Sequence, residues 1–213
     1  MSRHVLIIGD VHGKIGGYFD LLDDFVKRRD EGYSLQVGDF GFSDTYARRE
    51  RWFEKSRRYD SENHVFFGGN HDDYDKYGEV KGALSDFGEV PFIPNSFFVR
   101  GAKSIDKEAR TVGRDWWPEE ELGWKQSRKA IEEYIKVEPS FVFTHEAPDI
   151  VTDQMFPTRE TVSSNTGKLL SQMFREHQPD VWIFGHWHSS EEIDFEGTSF
   201  RCLDELETLE INV

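Results

Sequence analysis

At 213 residues the chain has room for one well-buried domain and too little for two ordinary ones, so a single domain spanning 1–213 is expected. Its 37% hydrophobic and 15% aromatic content excludes a disordered chain, and a single cysteine, Cys202, excludes an internal disulfide and fits a reducing compartment. The net charge of −15 argues against duplex nucleic acid as a partner, because affinity for a polyanion comes from neutralising its phosphates with basic residues.

Met1-Ser2-Arg3-His4 leads into only four apolar residues, Val5 to Ile8, before Gly9-Asp10. That is too short for the apolar core of a secretion signal, and no run approaches membrane-spanning length, so a cytoplasmic location without membrane contact is expected. Val5 to Ile8 instead reads as a buried strand, followed by a helix from about Tyr18 to Arg29 with Phe19, Leu22, Phe25 and Val26 at helical spacing. Leu35 to Val37, a helix from about Thr45 to Arg58 capped by Asp44, and strand Val65 to Phe67 repeat the unit. That second helix carries Arg48, Arg49, Arg51, Lys55, Arg57 and Arg58, read as a solvated face. Residues 72–87 read as short helix and loop, and Phe97 to Arg100 as a strand ending at a turn. Residues 101–117 break the rhythm with Arg110, Arg114 and the pair Trp116-Trp117. Pro118 followed by three glutamates predicts a helix start, running to about Lys136. Strand Phe141 to Phe143, a long loop 146–166, a helix from about Lys168 to His177, strand Val181 to Phe184 and a final acidic hairpin containing the strand Ser199 to Leu203 complete the chain. Ser163 to Lys168 lacks the spacing of a phosphate-binding loop and reads as loop and helix cap.

Five of these strands end in metal-binding residue types: Gly9-Asp10-Val11-His12, Gly38-Asp39, Gly69-Asn70-His71-Asp72, Thr144-His145 and Gly185-His186-Trp187-His188. Alternate residues of an extended segment point to one side, so Asp-x-His and His-x-His pairs can share an ion. Ligands of open α/β sheets gather at the carboxyl ends of the strands, and this chain loads that edge with carboxylate, amide and imidazole donors. Mixed nitrogen and oxygen donors suit Mn, Fe, Zn, Co or Ni rather than Ca or Mg alone.

The five-part order resembles the calcineurin-like metallophosphoesterase family, with the likeness spanning residues 9–188. The resemblance implies a four-layer α/β/β/α sandwich, two mixed sheets flanked by helices. It implies two divalent transition-metal ions, manganese foremost. Asp10, His12 and His188 would hold one ion, Asn70, His145 and His186 the other, and Asp39 would bridge them. His71 would be the general acid, oriented by Asp72, and a metal-bound hydroxide the nucleophile.

Protein Ser/Thr phosphatases of the family extend the second motif to Gly-Asp-x-x-Asp-Arg-Gly and place Arg before the third. Here Phe40-Gly41-Phe42-Ser43 follows Asp39, and Gly68 stands where that Arg would be. Two phosphate-gripping guanidiniums are thus missing, and Lys14, Arg100, Arg110 and Arg114 are the candidates to replace them. Arg110, Trp116 and Trp117 are taken as substrate-binding residues, the tryptophans by stacking on a base or by anchoring the insert as core. Phosphodiester or nucleotide-type substrates are favoured, whether a phosphorylated small molecule, a nucleotide or short single-stranded nucleic acid. The alternatives are a phosphomonoesterase or protein phosphatase of the same family, or a non-catalytic metal-binding scaffold. A β-lactamase-like metallohydrolase would need His-x-His-x-Asp-His, and Ser189-Ser190-Glu191 follows His188 instead.

Overall fold

A computed structural model describes residues 3–29, 32–41, 62–78, 80–158 and 163–213. The helix expected over 45–58, its basic residues, its cap Asp44 and Phe42 lie outside the described residues. The first sheet contains β1 (His4–Ile8), β2 (Tyr33–Val37), β3 (His64–Phe67) and β10 (Thr208–Asn212) in the order β10-β1-β2-β3, parallel except for β10. The second contains β4 (Phe87–Gly88), β5 (Ser96–Val99), β6 (Phe141–Thr144), β7 (Val181–Phe184), β8 (Glu191–Phe195) and β9 (Thr198–Cys202) in the order β4-β5-β6-β7-β9-β8. Its four inner strands are parallel, and β4 and β8 run antiparallel at its edges.

Period-two alternation along these strands builds three apolar layers. Val5 and Ile7 of β1 meet Phe98, Phe143 and Ile183 of the second sheet, and Phe67 stacks on Phe98 at 5.5 Å. Leu6 and Ile8 point the other way, onto Tyr18, Phe19, Leu22 and Phe25 of α1 (Ile15–Lys27). On the far side Phe97, Val142, Trp182 and Phe184 pack against Tyr134 of α3 (Trp124–Val137) and against Leu170, Met173 and Phe174 of α5 (Asn165–Glu176). Helix, sheet, sheet and helix therefore form the expected four layers. No described helix is long and apolar enough to cross a membrane.

Local differences from the sequence expectation have physical causes. Pro118 opens a single 3-10 turn, Pro118–Glu120, rather than a long helix, because Glu120 and Leu122 turn inward and are buried. The helix begins at Trp124, where Gln126 Oε1 accepts the Gly123 N–H at 3.1 Å. The long loop contains a helix, α4 (Asp149–Met155), which follows Pro148 and has an aspartate in its first turn. A four-residue helix, α2 (Tyr74–Tyr77), sits in 72–87, and Ser164 caps α5 by accepting the Gly167 N–H at 2.7 Å. The acidic tail divides. β8 and β9 form the hairpin at one edge of the second sheet, and β10 crosses to the first sheet beside β1.

Candidate metal centre

The loops after β1, β2, β3, β6 and β7 converge at the shared carboxyl edge of the two sheets. Asp10 and Asp39 are buried there, and three overlapping groups of potential ligand atoms form: Asp10, His12 and His188; His12, Asp39 and His71; and Asp39, His145 and His186. Asp39 belongs to two of these. Its Oδ1 lies 3.3 Å from His145 Nε2, while its Oδ2 lies 3.7 Å from His12 Nε2. Asp10 Oδ2 lies 3.0 Å from His188 Nε2 and 3.5 Å from His12 Nε2.

Backbone geometry aims these donors. His12, Asp39, His186 and His188 all hold left-handed φ, between 45° and 68°, at a cost on the order of 1 kcal/mol each for residues other than glycine. Hydrogen bonds between loops hold them: Val11 and His12 N–H donate to Asp39 O at 3.0 and 2.9 Å, and His186 N–H donates to Asp10 Oδ1 at 3.1 Å. Gly69 must lack a side chain, since a Cβ there would run into Asp39 Oδ1 and His145 Nε2. Asp72 is fully buried and accepts N–H bonds from Gly41 at 2.7 Å, Gly69 at 2.8 Å and Phe40 at 3.2 Å. It thereby fixes the loops that carry Asp39 and Asn70, and it reaches His71 through that backbone.

The donor set fits divalent metal. His145 Nδ1 donates to Val37 O at 2.9 Å, which leaves Nε2 facing Asn70 Oδ1 at 3.2 Å and Asp39. Asn70 Nδ2 donates to Ser104 Oγ at 3.1 Å, so its oxygen is the atom turned to the cluster. Burial opposes charge on His145, but Asp39 and then Asp10 outweigh it and raise its pKa to about 10. Burial also opposes charge on Asp39, and the neighbouring histidines, His145 first, hold its carboxyl far below the usual range. The carboxylates stay ionised, as a divalent cation requires, while the proton on His145 has to leave when one enters.

Of the four candidate cations, one reaches the cluster. Arg100 is buried against Asp86 and Glu119 O, with Tyr74 beneath its guanidinium at 4.2 Å. Lys14 pairs with Glu205, and Arg114 is exposed. Arg110 is held at Nε by Asp106 at 2.8 Å, and its fork lies against His71, with Nη1 3.0 Å from Nδ1 and Nη2 3.1 Å from Nε2. Burial lowers the His71 pKa, Asp39 opposes that and Arg110 adds to it. The bridge formed by Asp106, Arg110 and His71 divides the cleft into two lobes of about 560 and 360 Å³. The larger runs over Asn70 and His186 to Lys103 and the exposed Ile105, and the smaller lies over His12 and Gly41.

The tryptophans of the insert behave differently from the stacking expectation. Trp117 is 2% exposed, packed into the body and contributing to the wall of the smaller lobe, with little ring left for a base. Trp116 is half-buried with its indole nitrogen inside. Both indoles are thus turned inward, the anchoring alternative, while the fully buried Phe40 packs elsewhere, against Tyr18 and Phe66. Glu146 is a pocket residue that sequence reasoning passed over. Cys202 is buried in β9, the apolar position expected of it.

Buried carboxylates and imidazoles thus gather at the carboxyl edge of a four-layer sandwich, a donor set suited to divalent metal. The sequence matches the profile of the calcineurin-like phosphoesterases over residues 3–190, and the chain belongs to that family, whose members hydrolyse phosphate esters with divalent metals. Among solved structures, a protein assigned as a 5′-nucleotidase from Staphylococcus aureus aligns with 100% of this chain at a TM-score of 0.55 and 12% identity. This chain spans 51% of that protein's length. GAP50, the anchor in the inner membrane complex of Plasmodium, aligns with 95% of this chain and 71% of its own at a TM-score of 0.57 and 13% identity. At these identities the likeness is one of fold. A comparison with curated protein sequences found no match.

Proposed function

We propose that the protein is a dinuclear metal-dependent phosphoesterase whose preferred substrates are phosphodiesters or nucleotide-type esters. The observation that carries the preference is the two-lobed cleft, which opens on both sides of the bridge from Arg110 to His71. A diester has two arms on phosphorus and needs room for both, whereas a monoester needs one lobe.

Asp10, His12 and His188 would hold one ion, Asn70, His145 and His186 the other, with Asp39 shared. Manganese is the first candidate, with Fe, Zn, Ni or Co as alternatives. Bound there, such ions supply Lewis-acid charge and lower the pKa of a water nucleophile to about 7. Arg110 orients a phosphate oxygen with its fork, taking part of the charge that develops on the equatorial oxygens. His71 donates its ring proton to the leaving oxygen. Trp117 leaves base stacking without its main support, so nucleotide selectivity rests on the shape of the larger lobe.

The test is hydrolysis of a panel of phosphomonoesters, linear diesters and cyclic nucleotides with Mn, Ni, Zn and Fe supplied in turn. Higher kcat/KM for diesters is expected, and a consistent monoester preference would reverse the assignment. Asp39→Asn should remove both turnover and bound metal. Full metal content with near wild-type turnover in that variant would sink the two-ion reading.

A further inference from the structure

We infer that Glu146 is a positioning residue for the metal site formed by Asn70, His145 and His186, an inference that rests on the two-ion reading above. The residue is 7% exposed, and a buried carboxylate must be compensated by hydrogen bonds or opposite charge. Its Oε1 accepts two N–H bonds, from Ala147 N at 2.9 Å and Trp187 Nε1 at 2.7 Å. Trp187 is itself fixed by stacking on Phe156, with centroids 4.5 Å apart and planes at 11°. The carboxylate is thus held by the residue between the two histidines of the last motif. Its other oxygen, Oε2, faces His186 Nε2 at 3.5 Å.

Two consequences follow from that geometry. With Nε2 the ring nitrogen nearer Glu146, Nδ1 is the one His186 has left for an ion, and the carboxylate's charge favours that ring orientation. Carboxylate–imidazole pairs of this kind also raise ligand basicity. Charge balance points the same way. Asp10 gives the first site a carboxylate of its own besides the shared Asp39, whereas the second site has a neutral amide and two imidazoles. Glu146 supplies the second site with the negative charge that its donors lack.

The experiment measures manganese binding to the full chain by equilibrium dialysis and metal analysis, comparing wild type with Glu146→Gln and Glu146→Ala. Near-ultraviolet circular dichroism checks that each variant is folded. Gln keeps the volume and an acceptor for Trp187 but loses the charge. Both variants are expected to bind one ion as wild type does and the other about 10–100-fold more weakly, the usual loss when an outer partner of a metal ligand is removed. Two ions bound at wild-type affinity in both variants would overturn the inference. So would a Gln variant indistinguishable from wild type beside a weakened Ala variant, since the role would then be packing. Fewer than two ions on the wild-type chain would instead overturn the two-ion reading itself.

Discussion

His71 stands apart from its neighbours because Arg110 lies against both of its ring nitrogens, so the ring does not face the cluster alone. His71→Ala should therefore keep both ions and lose about 10²–10⁴-fold in rate, the range for a positioned acid. The loss should shrink for nitrophenyl esters, whose leaving groups need little protonation, and metal analysis alongside kinetics checks both parts. His145 makes a pH prediction. With a pKa raised to about 10 by Asp39 and Asp10 against the pull of burial, it holds a proton at neutral pH that an entering ion must displace. Metal affinity should rise with pH through the neutral range, and calorimetry in two buffers of different ionisation enthalpy should report about one proton released per ion at that site; no buffer dependence would refute it. The sign for stability is the opposite. The raised pKa favours the metal-free fold fully below about pH 6.5, and that contribution is lost as pH climbs through the folded value.

The insert from Ser104 to Trp117 divides labour between anchoring and chemistry. Arg110→Ala should lower kcat/KM by about 10–100-fold, in line with about 1.5–3 kcal/mol for hydrogen bonds to a charged group, with the melting temperature unchanged. Trp117→Ala should do the reverse, costing about 3–5 kcal/mol of stability; thermal melts beside steady-state kinetics separate the two. The strand-end motifs were readable in the sequence, because that chemistry admits few residue types and the strands before them carry unbroken apolar runs; the division of their residues into two ligand sets came from the family resemblance. Arg110 was singled out in the sequence for its place in the insert, but what holds it there, Asp106 at its Nε, was not readable. Glu146 was not readable at all: a glutamate after a histidine has no pattern, and its meaning comes from Trp187, 41 residues further on. The helix Asp149–Met155 was missed although it offers the same proline-and-acid start that was credited, too generously, at Pro118.

At the scale of the molecule, the two sheets share one apolar layer, so they should melt together. Phe67 and Phe98 stack across it, and Phe67→Ala should cost about 3–5 kcal/mol, with far- and near-ultraviolet signals still lost in one coincident transition; separated transitions would show that the sheets are independent. The strand β10 carries a different consequence. His4 pairs with Asn212, and the register continues to Ile8 opposite Thr208, so the edge of the first sheet is covered by residues some two hundred positions downstream. A ribosome makes those residues long after β1. Until they emerge, β1 presents an open row of backbone donors and acceptors beside the loop that carries Asp10 and His12, and so sticky an edge invites pairing with another nascent chain. Closing so distant a pair is also entropically slow. The edge of the first sheet thus stays open until β10 has been made, and that interval is when β1 is most exposed to pairing with another chain.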